Sequence, residues 1–310
     1  ASGAAMSPRQ RKTALAARLA LLLAGLAAAA PATPRDWPYA QRPSAATALG
    51  DVPGQLDPHP LRDAGRAFHP PELDELPQDG WGELVREGRA IFIDTPARAP
   101  RFAGNGLNCS SCHLSEGRKP GAAPMWAAWP VYPAYRGKND DMNTFQMRVQ
   151  DCFRFSLDGL MPPQDSREMR ALVAYAQWLA RGAPTGAAVT GKGFAPIKRD
   201  IEPSGDRGRV VYEMQCALCH GVDGQGVKAA DGERYQFPPV WGDDSYNRGA
   251  GMYTVKTAAA WIKGNMPLGR GMSLDDQDAY DVALYLRLKQ RPVDPRKNWI
   301  SAYLRPFAGL

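Results

Sequence analysis

The chain lacks an apolar run long enough to cross a bilayer comfortably. Its longest uncharged apolar stretch, residues 19–30, is shorter than the roughly 20 residues that a membrane-spanning helix needs. A basic segment, residues 9–12, precedes this stretch and small residues follow it, which is typical of a secretory signal. We therefore interpret residues 1–32 as a signal peptide, in which residues 1–5 are an expression remnant or an upstream extension. The expected location is the periplasm, without a stable membrane span.

The chain also lacks a strong charge imbalance, although its formal net charge is +6. Residues 1–31 contain four basic residues and no acidic one, so the remainder of the chain is close to neutral, at about +2. This balance gives no reason to expect nucleic acid as a partner. Any positive charge that serves a function must therefore be concentrated locally.

Cysteine and histidine are scarce, with 5 and 4 residues among 310, but most of them occur together in two C-x-x-C-H motifs. The two motifs comprise Cys109, Cys112 and His113, and Cys216, Cys219 and His220. In such a motif the two thiols attach to the vinyl groups of a haem and the histidine ligates its iron. A zinc or redox C-x-x-C site would not predict the repetition. The sequence therefore predicts two covalently bound haem c groups.

The motifs belong to two copies of one structural unit. Amphipathic helices predicted at 81–95 and 166–181 flank the first motif, and a helix at about 273–290 closes the second copy. The two motif histidines are 107 residues apart, and so are Trp178 and Tyr285 in the closing helices. We therefore predict a mainly α fold: two tandem cytochrome c-type domains, each wrapped round one covalently attached haem.

Composition suggests where these domains begin and end. The predicted divisions are a proline-rich arm without regular secondary structure at 33–80, domain 1 at 81–184, a linker at 185–200, and domain 2 with a C-terminal tail at 201–310. Within domain 1, the chain after the first motif is expected to be irregular until about residue 144. A helix is predicted at 145–157.

Each iron needs a sixth ligand for pure electron transfer, or an open position for chemistry. In domain 2 the candidate is Met266, which precedes a proline and follows His220 by 46 residues. The remaining candidates in the chain are weaker: Met272, Met252 and Lys263 as substitutes, and His59 and His69, which fit surface or structural roles better.

In domain 1 the residues leave two candidates for the sixth ligand. Met161 precedes a proline and follows His113 by 48 residues, whereas Cys152, the one cysteine outside the motifs, follows it by 39. A thiolate ligand lowers the haem potential and a methionine raises it. A buried free thiol or a disulfide to another chain are the other interpretations of Cys152. The residues alone do not decide between them.

Basic and hydroxyl side chains lie near Cys152 in the sequence. Arg148 and Ser156 stand four residues before and after it, so on a helix the three share one face. Arg136 and Lys138 add positive charge upstream. A guanidinium, a sulfur and a hydroxyl beside haem would suit a small oxyanion, while the plainer interpretation is a solvated charged face.

These segments make the chain resemble the thiosulfate dehydrogenases, di-haem c-type cytochromes that couple two thiosulfates to tetrathionate. The resemblance covers roughly residues 80–290 in colinear order, and the Arg-x-x-x-Cys-x-x-x-Ser segment at 148–156 is its more diagnostic part. The other matching segments are 104–114, 129–133, 143–144, 158–159 and 265–269.

The resemblance implies that Cys152, rather than Met161, is the distal ligand of a catalytic haem 1. It implies that Met266 is the distal ligand of haem 2, through which electrons leave. Some relatives have a lysine directly before that methionine, which exchanges with it as a ligand on reduction. Here the position is Asn265, so such an exchange is not expected.

The resemblance also assigns roles to the charged residues near Cys152. Arg148 and Ser156 match active-site positions of the family. A second family arginine corresponds to Lys138, with Arg136 nearby.

The expected activity is oxidation of two thiosulfates to tetrathionate, or the reverse. Electrons would pass from haem 1 to haem 2 and then to an external cytochrome or iron–sulfur protein. The alternatives are a non-enzymatic di-haem electron carrier of a respiratory or sulfur-oxidising complex, a di-haem peroxidase, and a related sulfur-oxidising subunit that acts on carrier-bound sulfur.

Overall fold

The computed structural model describes residues 68–184, 189–198 and 200–297. Within these ranges the protein is mainly α-helical and has two small antiparallel sheets. The predicted signal peptide, His59 and most of the predicted proline-rich arm lie outside them. Among the described residues, no helix is both long and apolar enough to cross a bilayer.

The first unit begins with a long helix and ends with another. In chain order its elements are a 3₁₀ turn (Leu73–Glu75), α1 (Gly80–Ile93), α2 (Thr95–Arg98), a 3₁₀ turn (Cys109–Ser111), α3 (Leu114–Gly117), α4 (Met125–Ala128), a 3₁₀ turn (Trp129–Val131), β1 (Ala134–Arg136), β2 (Asp141–Asn143), α5 (Phe145–Asp151), a π-helical segment (Cys152–Ser156) and α6 (Arg167–Leu179). Asp79 and Ser166 cap α1 and α6, because each side chain accepts a hydrogen bond from a backbone N–H of the first turn.

The second unit repeats this plan with fewer elements. They are α7 (Gly205–Gln215), α8 (Ala217–His220), β3 (Val227–Lys228), β4 (Tyr235–Phe237), a 3₁₀ turn (Gly251–Tyr253), α9 (Val255–Asn265) and α10 (Asp276–Leu288). Ser204 and Asp275 cap α7 and α10 in the same way. Each unit also has one two-stranded sheet, β1 with β2 and β3 with β4.

In each unit the first and last long helices touch through a glycine. A Cβ on Gly88 of α1 would lie 2.0 Å from a carbonyl oxygen of α6 and 2.9 Å from Tyr175 Cβ. A Cβ on Gly208 of α7 would lie 2.0 Å from a carbonyl oxygen of α10 and 2.9 Å from Tyr285 Cβ. Only glycine permits such a close approach of two backbones. The same crossing therefore closes both units.

These contacts correct the predicted alignment of the two closing helices. The sequence paired Trp178 with Tyr285, but Tyr175 holds the position that Tyr285 holds in the second unit. The prediction was wrong by three residues. Residues three apart are neighbours on one helix face, so an apolar stripe shifted by that amount still looks like a match.

Each unit has its own apolar core beside the helix crossing. The first core includes Val85, Ile91, Phe92, Tyr175 and Leu179. The second includes Tyr212, Trp241, Trp261, Val282 and Leu286. In each unit part of this core forms the wall of a large cavity.

Several local predictions need correction. The described end of the predicted arm is not wholly irregular, because Glu72 and Glu75 form a capping box around a 3₁₀ turn. The stretch from the first motif to residue 144 contains α3, α4 and the β1–β2 sheet. The helix predicted at 145–157 is α5 followed by a π-helical segment that begins at Cys152.

The described part of the predicted linker packs on both units, and residues 191–193 bond to the first. The backbone N–H groups of Gly121 and Ala123 donate to the carbonyl oxygens of Gly191 and Gly193, at 2.7 and 2.8 Å. The linker therefore contributes hydrogen bonds to the loop that follows the first haem motif.

We expect Gly88→Ala to destabilise the first unit, because the new methyl group would overlap a carbonyl oxygen of α6. The expected loss is about 2–4 kcal/mol in the free energy of unfolding, measured by urea denaturation of the haem-loaded protein. Gly80→Ala in the same helix is the matched control, since nothing lies within 4 Å of its Cβ position. Equal stability of the two variants would contradict the proposed helix contact.

Candidate active site

The first cavity is lined by residues of the first C-x-x-C-H motif. His113 Nδ1 lies 2.7 Å from the carbonyl oxygen of Ala123, which leaves Nε2 free to ligate a metal. Burial lowers the pKa of His113 to about 4, so the imidazole is neutral. Cys109 and Cys112 are free thiols on the same wall.

The second cavity is lined by residues of the second motif. His220 Nδ1 lies 2.8 Å from the carbonyl oxygen of Pro238, so its Nε2 is also free. Cys216 and Cys219 are again free thiols, and Met266 lies on the cavity wall.

Both cavities have the donor set that haem c requires. Each offers two free thiols for attachment and one neutral imidazole oriented by a backbone carbonyl. Their walls are mainly apolar side chains, which suit a porphyrin. The residues present therefore fit one haem in each cavity.

Cys152 lines the first cavity together with the motif residues, at the start of the π-helical segment. Arg148, one turn earlier, donates from Nη1 to Cys152 Sγ at 3.0 Å. Met161 is 47% exposed and is not among the residues that line the cavity. The fold thus brings Cys152, but not Met161, into the first cavity.

Ser156 also lines the first cavity, although it does not follow Cys152 on an α-helical face as predicted. The hydrogen bond from Leu157 N to Cys152 O closes a wider π-helical turn. Arg148 and Ser156, which are eight residues apart, therefore do not share one α-helical face. Segments of this kind often occur at functional sites.

Arg136 and Lys138 lie near this site but do not line the cavity. Arg136 forms an ion pair with Asp151, the residue before Cys152. Lys138 donates from Nζ to the carbonyl oxygen of Gly249 in the second unit, with Nζ 4.2 Å from the ring centre of Phe155. Desolvation, with the charges of Arg296 and Arg136, lowers the pKa of Lys138 to about 8.

Two further residues of this site were not predicted from the sequence. Arg296, from the second unit, lies 4.9 Å from the ring centre of Phe155 and pairs with Asp294 at 2.6 Å. Tyr132 lies close to Arg148 and Cys152, and burial raises its pKa while the Arg148 charge opposes this. Both are far from Cys152 in the sequence, so the residue spacing around Cys152 could not predict that they lie near it. Tyr132 falls within segment 129–133, which the family resemblance matched without giving the residue a role.

The other candidate ligands that fall within the described residues do not line either cavity, with one exception. Met272 is 40% exposed, Lys263 forms an ion pair with Asp276, and His69 is exposed. Met252 is the exception, because it lines both cavities.

Asn265 is completely buried beside Met266. Its Nδ2 donates to the carbonyl oxygen of Gly121, in the first unit, at 3.1 Å. Asn265 therefore helps to join the two units.

Buried amides join the two units between the cavities. Asn247 Nδ2 donates to the Arg154 carbonyl oxygen at 2.9 Å and to Asp158 Oδ1 at 2.6 Å. Asn105 Nδ2 donates to the Ser245 carbonyl oxygen at 3.1 Å. The units are therefore held in a defined arrangement.

Both units match known family models. Residues 101–185 match the SoxA/TsdA cytochrome c domain, and residues 205–289 match cytochrome c. A thiosulfate dehydrogenase of Stutzerimonas stutzeri (strain A1501) is 49% identical over 251 residues, which cover 79% of this chain and 80% of the relative. The chain belongs to the thiosulfate dehydrogenase family. The two tandem cytochrome c-type domains and the two covalently bound haem c groups predicted from the sequence are thereby confirmed.

Other thiosulfate dehydrogenases are similarly close. One from Thiomonas intermedia (strain K12) is 45% identical over 75% of this chain and 74% of its own length. A solved structure, the thiosulfate dehydrogenase TsdBA from Marichromatium purpuratum in its as-isolated form, is 43% identical with a TM-score of 0.71. The match covers 76% of this chain and 53% of that one, so the chain spans about half the length of that relative.

We expect Asn247→Ala to loosen the contact between the units, because the hydrogen bonds from its buried amide to the Arg154 carbonyl and the Asp158 carboxylate are lost. The expected cost is about 2–3 kcal/mol. Hydrogen-exchange mass spectrometry should show faster exchange in residues 104–108 and 244–249. Asn139→Ala, which removes an exposed amide bonded to Asn143, should leave exchange there unchanged. Unaltered protection in Asn247→Ala would contradict this role.

Proposed function

We propose that the protein oxidises two thiosulfates to tetrathionate in the periplasm, after export by its N-terminal segment, and that it can catalyse the reverse reaction. One observation carries the proposal: a cysteine outside the attachment motifs, Cys152, lies in the first haem cavity with an arginine 3.0 Å from its sulfur. Membership in the thiosulfate dehydrogenase family supports the choice of substrate.

His113 and Cys152 would hold the iron of a haem in the first cavity, and His220 and Met266 would hold that of a haem in the second. The placement of the Cys152 and Met266 side chains on the cavity walls supports this assignment. The exposure of Met161 and Met272 argues against either as a ligand. When bound, the two haem groups would supply one-electron redox chemistry, by which two electrons could leave singly for an external cytochrome or iron–sulfur protein.

Arg148 binds the substrate anion beside Cys152. The Cys152 sulfur raises the pKa of Arg148, so the guanidinium stays charged. Lys138 and Arg136 add positive charge at the edge of the site, and Ser156 can orient an oxyanion by a hydrogen bond. Two thiosulfate dianions repel each other, so local positive charge and partial desolvation are needed to hold them together.

The covalent step uses the Cys152 sulfur. A bond forms between Cys152 Sγ and the outer sulfur of the first thiosulfate, and loss of two electrons leaves the adduct Cys–S–S–SO₃⁻. The outer sulfur of the second thiosulfate attacks the central sulfur of this adduct and breaks its bond to Cys152. Tetrathionate departs with both sulfonate groups, and the cysteine thiolate is regenerated beside Arg148.

A non-enzymatic di-haem electron carrier is the second candidate and is not favoured. It explains the two units and Met266, but it needs neither a cysteine in the first cavity nor an arginine hydrogen-bonded to that cysteine's sulfur. The family relationship also points to an oxidoreductase.

We expect Cys152→Gly to lose thiosulfate oxidation by at least about 10³-fold with ferricyanide as acceptor, because the covalent intermediate cannot form. Mass spectrometry should still find two haem groups attached. Low-temperature EPR of the oxidised protein should lose a low-spin signal of thiolate type.

Met161→Leu is the control for this experiment and should keep both turnover and the EPR signal. Near wild-type turnover of Cys152→Gly would rule out the mechanism. A signal that changes in Met161→Leu and persists in Cys152→Gly would identify Met161 as the ligand.

We expect the KM for thiosulfate to rise by about fivefold between about pH 7 and 9, because Lys138 loses its charge as the pH passes its lowered pKa of about 8. Steady-state assays with Lys138→Arg should show a KM that stays low over this range. Lys138→Gln should show a higher KM without the pH dependence. The same rise in all three proteins would assign the titration to another group.

A further inference from the structure

A buried arginine of the second unit lies directly behind the wall of the second cavity. Arg291, which follows α10 in the chain, is 4% exposed and lines neither cavity itself. Its Nη2 donates to the carbonyl oxygens of Val240 and Leu286, both at 3.0 Å. Both of these residues line the second cavity. The guanidinium is therefore bonded to the backbone of that cavity's wall.

The same guanidinium stacks on a residue that the two cavities share. The Arg291 Cζ lies 4.1 Å from the ring centre of Tyr246, and Nη1 donates to the Tyr246 carbonyl oxygen at 3.3 Å. Tyr246 lines both cavities, and Ser110 of the first attachment motif, which is 6% exposed, lines the second. Burial raises the pKa of Tyr246, while the charge of Arg291 opposes that rise. The positive charge thus acts where the two cavities adjoin.

Arg291 forms no ion pair among the described residues. Its four described acceptors are three carbonyl oxygens and Ser245 Oγ, the last at 3.4 Å, and its Nε has no partner there. Two buried carboxylates near this cluster in the sequence bond elsewhere. Asp294 pairs with Arg296 at 2.6 Å, and Asp244 Oδ1 accepts a hydrogen bond from a backbone N–H of the first unit at 2.5 Å. A buried charge without an ion pair costs stability, and its field is screened less than that of a charge in water.

We propose that Arg291 raises the reduction potential of a haem held in the second cavity, and so favours electron transfer to that haem from the first unit. A nearby positive charge stabilises the reduced iron relative to the oxidised iron, because reduction lowers the positive charge of the iron. The direction of electron transfer rests on the proposed function, whereas the effect on the potential does not.

The effect should be larger for the second haem than for the first. Val240, Leu286 and Tyr246, whose carbonyl oxygens accept from Arg291, all line the second cavity. Of these three residues only Tyr246 lines the first cavity. The charge of Arg291 therefore widens the difference in potential between the two sites.

A purely structural role for Arg291 would have a different signature. Its hydrogen bonds join the chain at 240–246 to the end of α10, and any replacement loses some of them. A charge effect, in contrast, persists when lysine replaces the arginine and is cancelled when a carboxylate is added beside it. Variants can therefore separate the two roles.

The test is a spectroelectrochemical titration of the haem-loaded protein, which needs no thiosulfate. In Arg291→Met the equilibrium constant for reduction of the second haem should fall about tenfold, which is about 59 mV for a one-electron couple. The shift at the first haem should be smaller. Arg291→Lys should keep most of the wild-type potential. Low-temperature EPR of samples frozen at fixed potentials assigns each redox wave, because a thiolate-type signal belongs to the first haem.

A second pair of variants changes the local charge without removing Arg291. Ser245 is fully buried, and its Oγ accepts from Arg291 Nη1. Ser245→Asp places a carboxylate beside the guanidinium and should lower the second potential, as Arg291→Met does. Ser245→Asn adds a side chain of the same size without charge and should leave the potential near that of the wild type. Arg287→Met removes an exposed arginine of α10, whose charge water screens, and should change neither potential.

Unchanged potentials in both Arg291→Met and Ser245→Asp would overturn the proposal. Equal shifts in Arg291→Lys and Arg291→Met, or in Ser245→Asp and Ser245→Asn, would also overturn it, because they would indicate a structural effect. Mass spectrometry verifies that each variant holds two haem groups. If Arg291→Met loses one, the comparison of Ser245→Asp with Ser245→Asn decides.

Failure of the proposed function would give a different result. In that case the wild-type protein would neither oxidise thiosulfate nor show a thiolate-type EPR signal. The titration would still contain two redox waves, one of which shifts with the charge at positions 291 and 245.

Discussion

The contact of two helix backbones at a glycine is the constraint on which each unit depends. Gly88 and Gly208 let the first and last helices approach until a carbonyl of one lies where a Cβ of the other would be. Side chains beyond this crossing have no protein partner on one side and form cavity walls instead. A haem held in each cavity would complete that core.

Buried amide hydrogen bonds help to set the arrangement of the two units. Asn105, Asn247 and Asn265 are buried, and each donates to a carbonyl oxygen of the opposite unit. Hydrogen bonds of this kind are satisfied in one geometry only, because a shift of an ångström leaves buried donors without acceptors. Residues such as Tyr246 and Met252, which line both cavities, are thereby kept between them.

The sequence was a good guide wherever the relation between residues is local. The attachment motifs, the capped long helices and the pairing of Arg148 with Cys152 depend on spacings of five residues or fewer, or on periodicity within one helix. The contact of Lys138 with Gly249 joins positions 111 residues apart, and Arg296 reaches Phe155 from the other unit, so no pattern could predict them. The π-helical segment was missed because its apolar and polar spacing over a few residues resembles that of an α-helix.

The burial of Ser110 bears on the loss of electrons from the first haem site to dissolved oxidants. The two motifs are chemically alike, but the edge of the first is covered by protein and the edge of the second is open. Electron-tunnelling rates fall steeply with distance. We therefore expect the polypeptide that covers the first motif to slow electron transfer from that site to dissolved oxidants. The two motifs therefore differ in exposure, which the internal repeat alone would not produce. In a tandem of two identical units, both motifs would be equally open to dissolved oxidants.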